Sequence, residues 1–214
     1  MGGTEPEDGE TGERRVEATG KILHLSRKMP AARRRQVAPN SVIGILIFVI
    51  AELMFFGGLI SAHTIVKSSA IAGWPPPGQP RLPASETLIN TAALIISGFV
   101  LYYARRRYVQ SAALARRPLL IAMLLGAFFV IFQGVEWAAL LREGLTLTSS
   151  THGGFFYLII GLHALHAIAA LLVLFWAYTR LLRNDLVLSQ LVTVEIFWYF
   201  VVGLWPILYW RVYL

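Results

Sequence analysis

The sequence contains no cysteine, which excludes thiolate metal centres, disulfides and thiol nucleophiles. Charge is scarce too. Asp, Glu, Lys and Arg make up 14% of the 214 residues, against roughly 25% in an ordinary soluble domain. There is no nucleotide-binding glycine loop, no HExxH and no GxSxG, so no familiar catalytic constellation is present. Internal repeats are missing, as are the paired broken helices that transporters use. The first twenty residues, Met1 to Gly20, are polar and acidic without an apolar centre, and are not expected to act as a signal peptide.

Hydrophobic residues fill the place of the missing charge. They account for 56% of the chain, and the mean hydropathy is +0.60. Five apolar runs are each long enough to cross about 30 Å of hydrocarbon. They extend from Ser41 to Lys67, Glu86 to Ala104, Pro118 to Leu141, Thr151 to Tyr178 and Gln190 to Tyr213. Pro118 is read as opening the third helix, where a missing N–H costs little. Trp, Tyr and Arg cluster at the run ends, as in Tyr102-Tyr103-Ala104-Arg105 and Trp210-Arg211-Val212-Tyr213, the belt expected at membrane interfaces. The fold class that follows is all-α, a polytopic membrane bundle of five transmembrane helices over residues 41–214.

Residues 1–40 read as a disordered acidic segment followed by a basic juxtamembrane tail. The net charge of +7 is concentrated in this tail and in the connections between runs. That distribution suits an orientation signal better than a nucleic-acid surface. The tail, the Arg105–Arg107 to Arg116-Arg117 segment, and Arg180 with Arg183 fall on one side. Only Lys67, Arg81, Arg142 and Arg211 fall on the other. The N-terminus is therefore expected in the cytoplasm and the C-terminus outside. The proline-rich stretch Trp74 to Pro83 is expected to form an extended outer strap.

Polar groups inside the runs carry the functional signal, because intramembrane acids are costly. Glu52 lies about 16 Å along the first run, near mid-membrane. It reads either as a functional acid or as a hydrogen-bonded packing residue. His163 and His166 share a face of the fourth run by their spacing of three. They could ligate haem or metal, but no further ligand lies at matching depth, and hydrogen bonding between helices is the preferred reading. His163, roughly 18 Å from the outer end of its run, is level with Glu52, so a Glu52–His163 contact is expected. Glu136, near the outer end of the third run, and Glu195, early in the fifth, read as packing links. Gly57-Gly58 and Gly153-Gly154 with Gly161 are expected to let helices approach closely.

At this point the chain resembles subunit III of the haem-copper oxidase family, which includes cytochrome c and quinol oxidases. Ala51-Glu52-Leu53-Met54-Phe55-Phe56-Gly57-Gly58 is similar to the family segment bearing a buried, carbodiimide-reactive carboxylate, with Glu52 on that acid. Trp74-Pro75-Pro76-Pro77-Gly78 with Asn90-Thr91, Gln133-Gly134-Val135-Glu136-Trp137, Phe155-Phe156 with Gly161-Leu162-His163-Ala164-Leu165-His166, and Glu195 with Phe197 to Val201 resemble further family segments in the family's order. The likeness covers roughly residues 41–214 and fits the short five-helix bacterial form. Two positions depart from it. Tyr199 stands where the family often has His, and Val202 where it often has Asp.

The resemblance implies a non-catalytic subunit of a respiratory oxidoreductase, without haem, copper or catalytic residues of its own. It implies partner subunits I and II carrying haem and copper, bound phospholipid, support of proton uptake, and a bacterial inner membrane location. Three other readings compete. A subunit III-like component of nitric oxide reductase is admitted by the Tyr199 and Val202 departures. A small transporter would use Glu52, and a membrane haem protein would use His163 or His166.

Overall fold

The computed structural model describes residues 39–70 and 84–213, together with Gly2. The rest of the tail, including His24, and the Trp74 to Pro83 strap lie outside the described residues. Five long helices follow in order: α1 (Asn40–Ser68), α2 (Ala84–Gln110), α3 (Ala112–Arg142), α4 (Thr151–Leu182) and α5 (Leu188–Leu208). A short π-helical turn, Tyr209–Tyr213, extends α5. No strand occurs among the described residues. All five helices are long and apolar enough to cross a membrane.

The helices outrun the hydrocarbon-length segments. α2 continues past Ala104 to Gln110, because Arg is a good helix former and the phenols one turn back hold the guanidinium groups. Arg106 Nε donates to Tyr102 Oη at 2.9 Å and Arg107 Nε to Tyr103 Oη at 2.6 Å. α3 begins at Ala112, so Pro118 lies inside the helix and does not open it. The Ala- and Arg-rich stretch before it favours helix, and the proline removes only one backbone donor.

The stops are local. After α3, Gly144 takes φ +90°, Leu145 N donates to Leu140 O at 3.0 Å and Gly144 N to Leu141 O at 3.2 Å. After α4, Asn184 does the same at φ 56°, with Asp185 N on Arg180 O at 2.9 Å. Both satisfy carbonyls that a helix end leaves open. Ser150 caps α4, its Oγ accepting from Gly153 N at 3.0 Å.

Helices α2, α3, α4 and α5 form a closed four-helix ring in which each packs on the next, and α1 lies outside it against α5 and, less, α4. Trp198 and Trp205 of α5 are fully buried. Each is tied to α2 by its indole N–H, Trp198 Nε1 to Ser97 Oγ at 3.1 Å and Trp205 Nε1 to Thr91 Oγ1 at 2.8 Å. Gly126 makes room for the first, since a Cβ there would sit 2.4 Å from Trp198 Cη2. At Gly153 a Cβ would meet Thr146 O at 2.3 Å. At Gly57 and Gly58 a Cβ would meet nothing within 4 Å. The close approach expected there is not made within this chain, because α1 turns that face outward.

Candidate functional site

Glu52 of α1 reaches α4 at His166. Glu52 Oε2 lies 3.3 Å from His166 Nε2. The pairing expected from depth alone, Glu52 with His163, is not formed. A step of three residues is about 300° of helix rotation, so His166 turns toward α1 while His163 turns toward α5. The His163 ring stacks on Trp205, centroids 5.2 Å apart at 28°.

The tautomer of His166 follows from its other nitrogen. Nδ1 lies 2.7 Å from the backbone oxygen of Leu162. A carbonyl only accepts, so Nδ1 carries hydrogen and donates. Nε2 is then the nitrogen that exchanges a proton with Glu52. Nε2 can accept from a carboxylic acid or, as imidazolium, donate to a carboxylate, so a single proton between the two would hold the contact in either position. Four phenyl rings surround the imidazole: Phe48, Phe56, Phe197 and Phe200, with centroids 6.3, 5.6, 6.5 and 5.7 Å away. They hold off competing polar groups and present π-faces and edges to it. The pair is not sealed, as the Glu52 side chain is 22% exposed and that of His166 14%.

His163 is 1% exposed, and neither ring nitrogen has a hydrogen-bond partner among the described residues. Beside it lies a cavity of about 100 Å³ between α3 and α4, walled by Phe129, Gln133, Gly134, Trp137 and Trp205 among others. Among the described residues, no group of three or more His, Asp or Glu is placed to hold a metal ion.

Glu136 is not near this pair. It is 5% exposed in a hydrogen-bonded cluster joining α2, α3 and the π-turn. Thr87 Oγ1 donates to both carboxylate oxygens, 3.1 Å from each. Gln133 Nε2 lies 2.9 Å from Glu136 Oε2 and 3.0 Å from Tyr213 Oη. Asn90 Nδ2 donates to Phe129 O at 3.2 Å. Glu195 forms a third group near the other end of the bundle. Its Oε2 pairs with Arg105 Nε at 2.6 Å and its Oε1 accepts from Tyr199 Oη at 2.7 Å.

Sequence reasoning found the acids but missed their partners. Thr87, Asn90, Thr91 and Ser97 are all buried and recur at helical spacing along one face of α2. That polar stripe in an apolar run was the available signal. The phenyl cage has no such signal, because Phe is common on every face.

The sequence profile of "Cytochrome c oxidase subunit III" matches residues 29–214. A "Probable cytochrome c oxidase subunit 3" of Nocardia farcinica is 33% identical over 184 residues, covering 82% of this chain and 88% of its own. A protein of Mycobacterium leprae with the same description is 32% identical over 183 residues, with the same 82% and 88% coverage. The "Cytochrome c oxidase subunit 3" of Corynebacterium diphtheriae is 31% identical over 202 residues, covering 88% of this chain and 97% of its own. Five apolar helices with Glu52 set on His166, and a match running through all of them, place this chain in the cytochrome c oxidase subunit III family.

Proposed function

We propose that this chain, as the third subunit of a haem-copper terminal oxidase, packs directly against the catalytic subunit I within a complex that includes subunit II. Oxygen reduction takes place at the haem and copper of those partners. This chain contributes no redox centre, binds phospholipid between its helices and sustains proton uptake. It sits in a bacterial cytoplasmic membrane with its N-terminus in the cytoplasm. The Lys/Arg bias of alternate connections supports that threading. The family match does not favour a nitric oxide reductase component or an independent transporter.

One observation carries the proton role: Glu52 Oε2 lies 3.3 Å from His166 Nε2, outside the four-helix ring. A carboxylate alone at this depth is costly. Paired with an imidazole whose other nitrogen is fixed by Leu162 O, it has a partner in both protonation states. A proton can pass between the carboxyl and the imidazole with the net charge of the pair unchanged.

The test is Glu52→Gln in the assembled oxidase. Gln cannot exchange a proton with His166. The expected outcome is altered pumping or faster inactivation during turnover, with the haem spectrum unchanged. Pumping and inactivation identical to the parent complex would reduce Glu52 to a packing residue. Purification of the tagged chain from its native membrane tests the wider reading. Haem bands should arrive with larger subunits and be absent from this chain when it is stripped away alone.

A further inference from the structure

A groove of about 530 Å³ runs between α2 and α5, lined by Ile95, Gly98, Phe99, Tyr102, Tyr199, Val202 and Gly203. It shares no residue with the Glu52–His166 pair. That volume is in the range of ordinary ligand pockets. The floor is low because Gly98 and Gly203 lack side chains there, and Val202 Cγ1 would lie 3.3 Å from a Cβ at Gly98. The walls are exposed rings, with Phe99 71% and Tyr199 37% exposed. Val202, at one of the two departures from the family pattern, leaves the floor apolar. Tyr199, at the other, turns its hydroxyl onto Glu195.

One end of the groove is cationic. Arg105 is neutralised by Glu195 at 2.6 Å, and Arg107 donates to Tyr103. Arg106 is exposed. Among the described residues it makes one hydrogen bond, from Nε to Tyr102 Oη at 2.9 Å. A guanidinium has five N–H donors in a fork that matches phosphate, so both Nη groups remain to be used. Tyr102 accepts that bond, which frees its own O–H to donate to the same phosphate.

The dimensions suit one leaflet. Ile95 to Arg106 is about 16 Å of helix, and half of a ~30 Å hydrocarbon layer is about 15 Å. A narrow trough that is apolar along its length and cationic at headgroup depth matches an amphiphile with an anionic head.

We propose that the α2–α5 groove binds one anionic phospholipid, with an acyl chain on Gly98, Val202 and Gly203 and the phosphate on Arg106 and Tyr102. The proposal rests on the reading that this subunit holds phospholipid and gives that reading a place.

The test uses the intact oxidase complex in detergent. Gly203→Leu puts a side chain into the groove, and its Cβ would meet nothing within 4 Å. Lipid phosphorus and mass spectrometry should show one phospholipid fewer per complex than in the parent. The complexes are then exchanged against vesicles of mixed phosphatidylglycerol and phosphatidylcholine. Arg106→Gln should lower the preference for phosphatidylglycerol roughly fivefold at unchanged lipid count. A benzophenone side chain at position 99 should crosslink to phospholipid, which keeps the proposal testable should Gly203→Leu fail to assemble. Equal lipid counts in parent and Gly203→Leu would overturn the groove assignment, as would a crosslink to polypeptide or no preference between the two lipids. A parent complex carrying no phospholipid at all would overturn the lipid reading as a whole.

Discussion

The α2–α3–α5 part of the ring and the α1–α4 seam hold their carboxylates in opposite ways. In the ring, Glu136 is buried and hydrogen-bonded by Thr87 and Gln133 from two helices. At the seam, Glu52 faces one partner, His166, on a helix with only Phe56 and His63 buried. The ring is knitted by indoles on hydroxyls and by Trp198 over Gly126. The seam is lined by phenyl rings around one polar contact. The first arrangement gains from being immobile. The second leaves the Glu52–His166 pair partly exposed on the outer side of the ring.

The comparison is sharpened first by substitutions in the ring. Glu136→Leu would remove the buried acceptor that Thr87 and Gln133 both use, so the complex should lose roughly 3 kcal/mol of stability. Thermal unfolding followed by loss of this subunit measures it. A loss no larger than that of Glu52→Leu would break the distinction between the two carboxylates. Gly126→Ala should follow at about 2 kcal/mol, because Trp198 is hemmed in and must shift. Gly57→Ala, on the open face of α1, provides the control. It should leave the isolated subunit within about 0.5 kcal/mol of the parent.

Trp205→Phe keeps the ring on His163 but removes the bond to Thr91, for an expected loss of about 1 kcal/mol. The coupling at the seam is smaller again. A double-mutant cycle of Glu52→Gln with His166→Gln should show coupling of about 0.6 kcal/mol, the average for polar pairs between membrane helices. The same cycle with His163→Gln should be additive. Coupling to His163 and none to His166 would overturn the assigned pair.

Much of this was legible from residues alone. The five spans follow from apolar length, because a helix must satisfy its own backbone in lipid. Glu52, Glu136 and Glu195 stand out because charged residues are rare in such runs. The ordered segments around them point to the family. Helix ends were harder to place. Arg105 to Arg107, and Arg116-Arg117 before Pro118, are charged yet helical, because composition marks the edge of the hydrocarbon and backbone hydrogen bonding marks the edge of the helix. The Glu52 partner was misjudged for a related reason. Depth along an axis can be computed from rise, but facing depends on how each helix is rotated about its axis, and packing sets that rotation.

The sequence by itself determined the membrane class, the number of spans, the acids within them and the family. Those follow from composition, run length and the order of short segments. Only the tertiary structure decided that His166, not His163, meets Glu52. It also decided that Thr87 and Gln133 hold Glu136, that Gly126 and not Gly57 is the tight contact, and that Gly98 and Gly203 open a groove beneath Arg106. Each of these depends on which faces of different helices meet, and the near-uniform apolar surface of a membrane helix leaves that unspecified until side chains interlock.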